Sequence, residues 1–528
     1  MISTSDEFHE LANGSVRPLN WGCNISFTKN RNTDTAWFTL NQSQLDGGDI
    51  LSMNSEQPIQ LWDYYDYENY ADRLMGMTVN RSVEFPYNVQ SAILDFTLDN
   101  HDGYFTYDAD TTNDSPITPY ILPKRPIRTY LGFKGVGQVP VFVGLTQELP
   151  SYSGVNDTTM KWTAMDFLSE IGNQSLGESV MLRDARTDEA IAVILNSFGL
   201  DSSMYSLDAG MNTIPFVFFE KGKNAGNALK ELVEAENGKL WLDETGIIRF
   251  SPRTSDIGKT PVATFTSANI IEFTPSRTDG IYNRVKINSN IRVVQDKQPI
   301  FSADNENGYQ SSASDDSYRI SSYGNKQIWL SFDDPIWTAT TEPVLAGDES
   351  DSFFTAVDLS GNEITSDITA TGTLFSDTML LTFTNANGFP VSINFLQIWG
   401  EPAKVVDEIK YDAYDEDSVE KFGNMTLEIT DNNFFGSYQN VDSFATDVLS
   451  KRAEYSPTLK LKVKGDPSLQ LGDIITVDYK FNGDYKIVGI NQSLNQSGLI
   501  TELTVEKFET LSPFILDVSV LDGSDVLS

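Results

Sequence analysis

The chain has 528 residues, a length that suits roughly three to four domains. Hydrophobic residues make up 40% and aromatics 11%, enough to build packed cores, so a disordered chain is excluded. Against 75 Asp+Glu stand only 37 Lys+Arg, a net charge of -38 that repels phosphate backbones and anionic lipid, so nucleic-acid binding is not expected.

The first 50 or so residues read as an N-terminal arm. Its opening, MISTSDEFHELANG, predicts a short helix holding His9 and lacks the basic and apolar blocks of a secretory leader. Cys23, the only cysteine, sits in the alternating stretch WGCNISF. It is expected to be a packed small residue and not a nucleophile, and no intrachain disulfide can form. A β domain is expected over about 51–175. Near its start WDYYDYENY mixes rings with carboxylates, so Trp62, Tyr64, Tyr65, Tyr67 and Tyr70 form a candidate interaction surface. They would either stack on sugars or pack on a neighbouring surface.

Next comes LDFTLDNHDGYFTYDAD, which places His101 among aspartates. An EF-hand loop aligned on Gly103 would begin at Leu98 and end at Ala109, so both anchoring carboxylates are missing. Alternation puts Leu94, Phe96 and Leu98 on one strand face, and Asn-His-Asp-Gly then predicts a tight turn.

A small α+β domain is expected over 176–255. In TDEAIAVILNSFGL, Thr187 is the predicted N-cap, with Ile191, Ile194, Leu195 and Phe198 on one face and Gly199 as the stop. NAGNALKELVEAENG predicts a second helix capped by Asn224 and closed by Gly238, and KLWLDETGIIRF a hairpin turning at Asp243–Gly246. Strands such as RVKINSNIRVV, TLKLKVK and IITVDYK predict a second β domain over 256–335 and 401–510. It is interrupted at 336–400 by a Thr-, Ser-, Asp- and Gly-rich insert that reads as a β-sandwich. A helix in VDSFATDVLSKRAEY ends before Pro457, and 511–528 remain as a tail. No apolar run approaches the ~18 residues of a membrane span.

Two histidines leave little room for enzyme chemistry. Ser-His-Asp hydrolysis and zinc peptidase sites need His in settings that neither His9 nor His101 offers. No P-loop or dinucleotide fingerprint occurs. Paired carboxylates of a glycosidase always find candidates among 75 acidic residues, so they carry no specificity. No catalytic residue, metal ligand or cofactor is expected.

The segment VNRSVEFPYNVQSAILDFTLDNHDGYF…SPITPYILPKRPIRTYLGF, followed by VFVGLTQELP and MKWTAMDFLSEIG, has an informative order. It resembles the first β domain of the tail-tip (baseplate) hub, or minor tail, proteins of long-tailed, siphophage-like bacteriophages. Asn100, Gly103, Phe105, Pro116, Pro126, Phe142, Gly144, Ala164 and Asp166 match that layout, and YNRVKI and LQLGDIITV…YKIVGINQSLNQSGLITELTVEKFE extend it. The resemblance implies a mainly β, multidomain structural virion protein with two tail-tube-like β-barrels. It would be a homotrimer at the tail tip, made in the host cytoplasm. Its partners would be the distal tail protein, the tape measure protein and receptor-binding or tip proteins, and DNA would pass without specific binding. The alternative is a β-modular protein that binds or cleaves cell-surface carbohydrate.

Overall fold

Two alternating stretches some 400 residues apart, Leu74–Ser82 and Gly483–Asn495, run side by side as antiparallel strands, Met77 opposite Leu494 and Ser82 opposite Gly489. This pairing, seen in a computed structural model, fuses the strands of both expected β domains into one hydrogen-bonded sheet of 14 strands. The structure describes residues 1–14, 16–27, 67–83, 85, 89–106, 115–154, 158–200, 202–256, 258–276, 280–304, 318–340, 353–454, 458–495 and 498–508.

From one edge the sheet runs through Ile270–Ser276, Thr458–Lys464, Gly498–Lys507 and Gly483–Asn495. It continues through Leu74–Ser82, Ile93–Asp99, Thr159–Met165, Gly137–Thr146 and Pro126–Phe133 to Leu19–Ile25 and Glu68–Asn69. The chain is mainly β. Three strands branch from this path: Ile474–Asp478 pairs with Gly483–Asn495, Ala263–Thr266 with Ile474–Asp478, and Ser151–Ser153 with Thr159–Met165, and among the described residues no pairing joins the two ends of the path.

Each half of the sheet has its own core. In TLKLKVK the period of two sends Leu459, Leu461 and Val463 inward against Ile475, Val477, Ile487 and Val505. A one-residue slip would bury Lys460 and Lys462 instead, which pins the register. The other half buries Leu94, Phe96, Leu98, Met160, Trp162, Ile127 and Phe133. Residues expected as an arm belong to this half. The strand Leu19–Ile25 pairs along its length with Pro126–Phe133, and the helix Asp6–Asn13 sets Phe8 edge-on against Phe133 at 4.9 Å.

Cys23 is fully buried in this core, and burial pushes its thiol up to about 12. Native protein is therefore expected to react with a thiol reagent at least about a hundredfold more slowly than urea-unfolded chain. Labelling at equal rates in both would refute that placement. At Gly144, in the strand Gly137–Thr146, an added Cβ would run into the Met165 carbonyl and the Phe142 ring. Gly144→Ala is expected to cost about 1–3 kcal/mol in a urea melt.

A third core gathers the helices. Ala190, Ile191, Ile194 and Leu195 of Thr187–Ser197 meet Leu229, Leu232 and Val233 of Ala225–Glu236 and Phe444 and Val448 of Tyr438–Arg452. Three sequence expectations change in detail. Thr187 is not the cap; Arg186 is, and the Glu189 carboxylate accepts the Arg186 N–H at 2.9 Å. Asn237, and not Gly238, adopts the left-handed conformation that ends the second helix, with φ of 50°. Gly238 is small because a Cβ there would strike the Phe250 ring. The third helix begins earlier than expected, at Tyr438 after the Ser437 cap.

Strand pairing also redraws the insert. Arg284–Val294, expected in the second β domain, pairs with the far half of the 24-residue strand Val391–Tyr414 and supplies Val285 and Ile287 to the helix core. The near half of that strand serves a fourth core, where Val391, Leu396 and Ile398 pack with Ile320, Leu330, Phe354 and Phe383. The insert's own core thus draws on residues well before 336. Among the described residues no helix is long and apolar enough to cross a membrane.

Candidate interaction surfaces

The His101 loop is built as a turn. Asn100 is buried and its Oδ1 accepts the Phe105 N–H at 2.7 Å, while the Gly103 N–H returns to the Asn100 carbonyl and Gly103 takes a φ of 71°. Its acidic groups already have partners. Asp102 accepts both terminal nitrogens of Arg73, at 2.9 and 2.7 Å, and this holds its carboxyl well below the usual range. Asp99 accepts from the exposed His101 ring at 2.8 Å. Among the described residues no group of three or more His, Cys, Asp or Glu side chains is placed to hold a metal ion. His9 is likewise tied, between Thr4 Oγ1 at 2.8 Å and Asp466 Oδ2 at 3.3 Å, so it pins the first helix to the far half of the sheet.

The candidate aromatic surface divides. Trp62, Tyr64 and Tyr65 lie outside the described residues. Tyr67 stacks its ring 4.7 Å from the Arg128 guanidinium. Tyr70 is buried, its ring against Phe105 at 5.3 Å and Phe27 at 5.6 Å, and its hydroxyl donates to Glu68. Burial and then the Glu68 contact push that hydroxyl far above its ordinary pKa. Tyr70 is therefore core, at the junction between the short strand Glu68–Asn69 and the turn Ala71–Arg73.

The fold exposes aromatics elsewhere, at positions that alternation marks only once strand pairing is known. The edge strand Ile270–Ser276 leaves Ile271 exposed and stacks Phe273 on Phe481 at 5.7 Å and 18°. Phe481 holds a φ of 62°, a conformation strained for a bulky side chain, at the turn into Gly483–Asn495. In the insert, Trp329 is 60% exposed and lies 5.5 Å from Phe375. Both stand on the outer face of a three-stranded sheet, Asn325–Ser331, Thr378–Asn385 and Ile368–Phe375. In register, Trp329 faces Leu380 and then Thr373, and Gln327 faces Thr382 and then Thr371. The face is neutral in a strongly acidic chain.

A buried polar junction joins the units. Arg81, on the strand that fuses the two halves of the sheet, pairs with Glu244 of the hairpin turn, and both side chains are almost fully buried. Gln470 donates to the other Glu244 oxygen at 2.7 Å. Burial draws the Arg81 guanidinium down to about 10. Nothing in the local pattern of either segment announces this pair.

No family model matches the sequence, and no curated protein matches it. Among solved structures, the chain is similar to the tail protein from Neisseria meningitidis MC58, at 11% identity and a TM-score of 0.46, over 84% of this chain and 94% of that one. It is also similar to the 43 kDa tail protein of prophage MuSo2 from Shewanella oneidensis, at 11% identity and a TM-score of 0.43, over 83% and 95% of the two chains. A third is prophage tail protein gp18 from Listeria monocytogenes EGD-e, at 11% identity and a TM-score of 0.39, over 85% and 94%. At these scores the likeness does not by itself assign a role.

Proposed function

We propose that this chain is a structural, non-enzymatic hub of a phage tail tip. In this reading it closes the distal end of the tail tube, joins the tube to receptor-binding and tip proteins, and opens for DNA ejection. The observation that carries it is the single sheet spanning both β units, with Ile270–Ser276 unpaired on its outer side among the described residues and Leu19–Ile25 near the other end. Open edges invite pairing, and a head-to-tail contact between two different edges closes into a ring when the rotation permits. Three copies in a ring would present six β units toward a tube. The co-linear motifs around Asn100, Gly103, Phe142, Gly144 and Asp166 support the same reading. A net charge of -38 suits a wall past which DNA slides without adhering.

Light scattering coupled to size exclusion, with negative-stain images, tests it. Threefold particles of three chain masses are expected, and Ile271→Lys on the open edge should shift them toward monomer. A chain that stays monomeric both alone and with tail-tube protein would sink the proposal.

A second reading is favoured by the Trp329–Phe375 face. An exposed indole flanked by threonine and glutamine side chains suits the apolar face of a sugar ring with hydroxyls around it. Retention on purified cell-wall glycan that disappears in Trp329→Ala would support it.

A further inference from the structure

Cations are scarce in this chain, yet four of them line one cavity. It lies where the three-stranded sheet of the helix unit, Tyr205–Leu207, Ile248–Ser251 and Lys239–Leu242, faces Leu471, Gly472 and Lys486 of the second β unit. Its volume is about 180 Å³, and its walls carry Lys239, Lys259, Lys486, Arg249, Trp241 and Ser206. A shallower pocket of about 320 Å³ continues outward past Trp241, Arg249 and Lys259.

Three of the cations have carboxylate partners. Lys259 reaches Asp256 at 3.0 Å, Lys486 shares that same carboxylate, and Arg249 donates to Asp243 at 2.9 Å. Lys239 has no carboxylate within ion-pairing distance among the described residues. Its nearest acidic neighbours are already engaged, Glu506 by Arg452 at 2.8 Å and Asp256 by the two lysines. The one carboxylate lining the cavity, Asp208, accepts from Ser251 Oγ at 3.2 Å.

The arrangement is costly as it stands. Burial pulls the Lys239 ammonium below its ordinary range, and burial together with the nearby Lys239 charge brings Lys486 down to about 7. Two desolvated ammonium groups facing one cavity repel each other, and an anion between them would offset both that repulsion and the desolvation. A water occupies about 30 Å³ in the liquid, so the cavity has room for a small anion.

We propose that this cavity is a binding site for a small oxyanion or carboxylate, held by Lys239 and Lys486 with Ser206 as a hydroxyl donor. The site lies at the joint between the helix unit and the second β unit, so a bound anion braces one against the other. It stands independently of the tail-hub reading.

The test is titration of the full chain with sodium sulfate, and separately with sodium acetate, by calorimetry at constant ionic strength with chloride as background. Saturable binding of one anion per chain is expected, together with a saturable rise in melting temperature, and whichever anion binds more tightly identifies the preferred headgroup. Lys239→Met should weaken binding by about tenfold or more, while Lys421→Met, on an exposed helix, should leave it unchanged. If Lys239→Met does not fold, Lys259→Met at the rim serves, with a loss of several-fold. The absence of saturable heat for both anions in the wild-type chain overturns the proposal. So does wild-type affinity in whichever of the Lys239 and Lys259 variants folds.

Discussion

Glu244→Ala is expected to lower the unfolding free energy by about 3–5 kcal/mol, more than any surface substitution in this chain. The alanine strands the Arg81 guanidinium, 4% exposed, in a site that already draws it down to about 10. It also leaves the Gln470 amide, which donates at 2.7 Å, without its acceptor. Three units meet at this pair: Arg81 on the strand that fuses the sheet halves, Glu244 on the hairpin of the helix unit, and Gln470 in the second β unit. The loss should therefore appear as weakened joints as well as a lower midpoint. A cycle with Arg81→Met and the double variant Arg81→Met/Glu244→Met separates the terms. The double variant should be markedly more stable than Glu244→Ala, because a buried pair replaced by apolar groups carries no stranded charge. A Glu244→Ala protein with an unchanged urea midpoint would show that the pair is not buried in solution.

Glu236→Ala should have an effect of similar size, about 3–5 kcal/mol, inside the helix unit. Glu236 is fully buried and its two oxygens gather four donors. Oε2 accepts from Thr187 Oγ1 and the Asn212 N–H, both at 2.9 Å. Oε1 accepts from the Met211 N–H at 3.0 Å and from Arg253 at 3.3 Å. Truncation leaves the Met211 and Asn212 N–H groups without their acceptor, and Arg253 without its countercharge, though Arg253 keeps the Asn212 Oδ1 and the residue-236 carbonyl as acceptors. Glu236→Gln keeps the shape and gives up the charge, so a smaller loss of about 1–3 kcal/mol is expected. Hydrogen exchange reads this directly: the Met211 and Asn212 amides should lose protection in Glu236→Ala well before the insert does. Unchanged protection there would show that other acceptors replace the carboxylate.

This network also explains why Thr187 misleads a sequence reader. Threonine before an acidic pair and an apolar run has the composition of an N-cap, yet its hydroxyl is taken by a glutamate 49 residues on. Tyr70 misleads in the same way. A tyrosine among aspartates reads as surface, and only the packing of Phe27 and Phe105 makes it core. Several features that depend on neighbours within about five residues do hold. Asn224 caps its helix through the Asn227 N–H at 2.9 Å, and Asp243 closes the hairpin by accepting the Thr245 and Ile247 N–H groups. Asn100 likewise shapes the turn at His101.

By itself, the sequence determined the β-rich character, the three main helices, the facing of each alternating strand and the absence of a membrane-spanning run. It also set the acidity that governs what the surface can tolerate. These follow from periodicity, capping chemistry and charge, all of which act over one or two turns of chain. Only the tertiary structure decided that Leu74–Ser82 lies beside Gly483–Asn495, making one sheet of two β units. The same holds for the strand Val391–Tyr414, which serves two cores at once, and for the Arg81–Glu244 and Lys239 sites. Edge pairing is non-directional in sequence, since any alternating strand offers the same backbone donors and acceptors. The choice of partner is made by which cores close when distant segments meet, and that is a property of the whole chain.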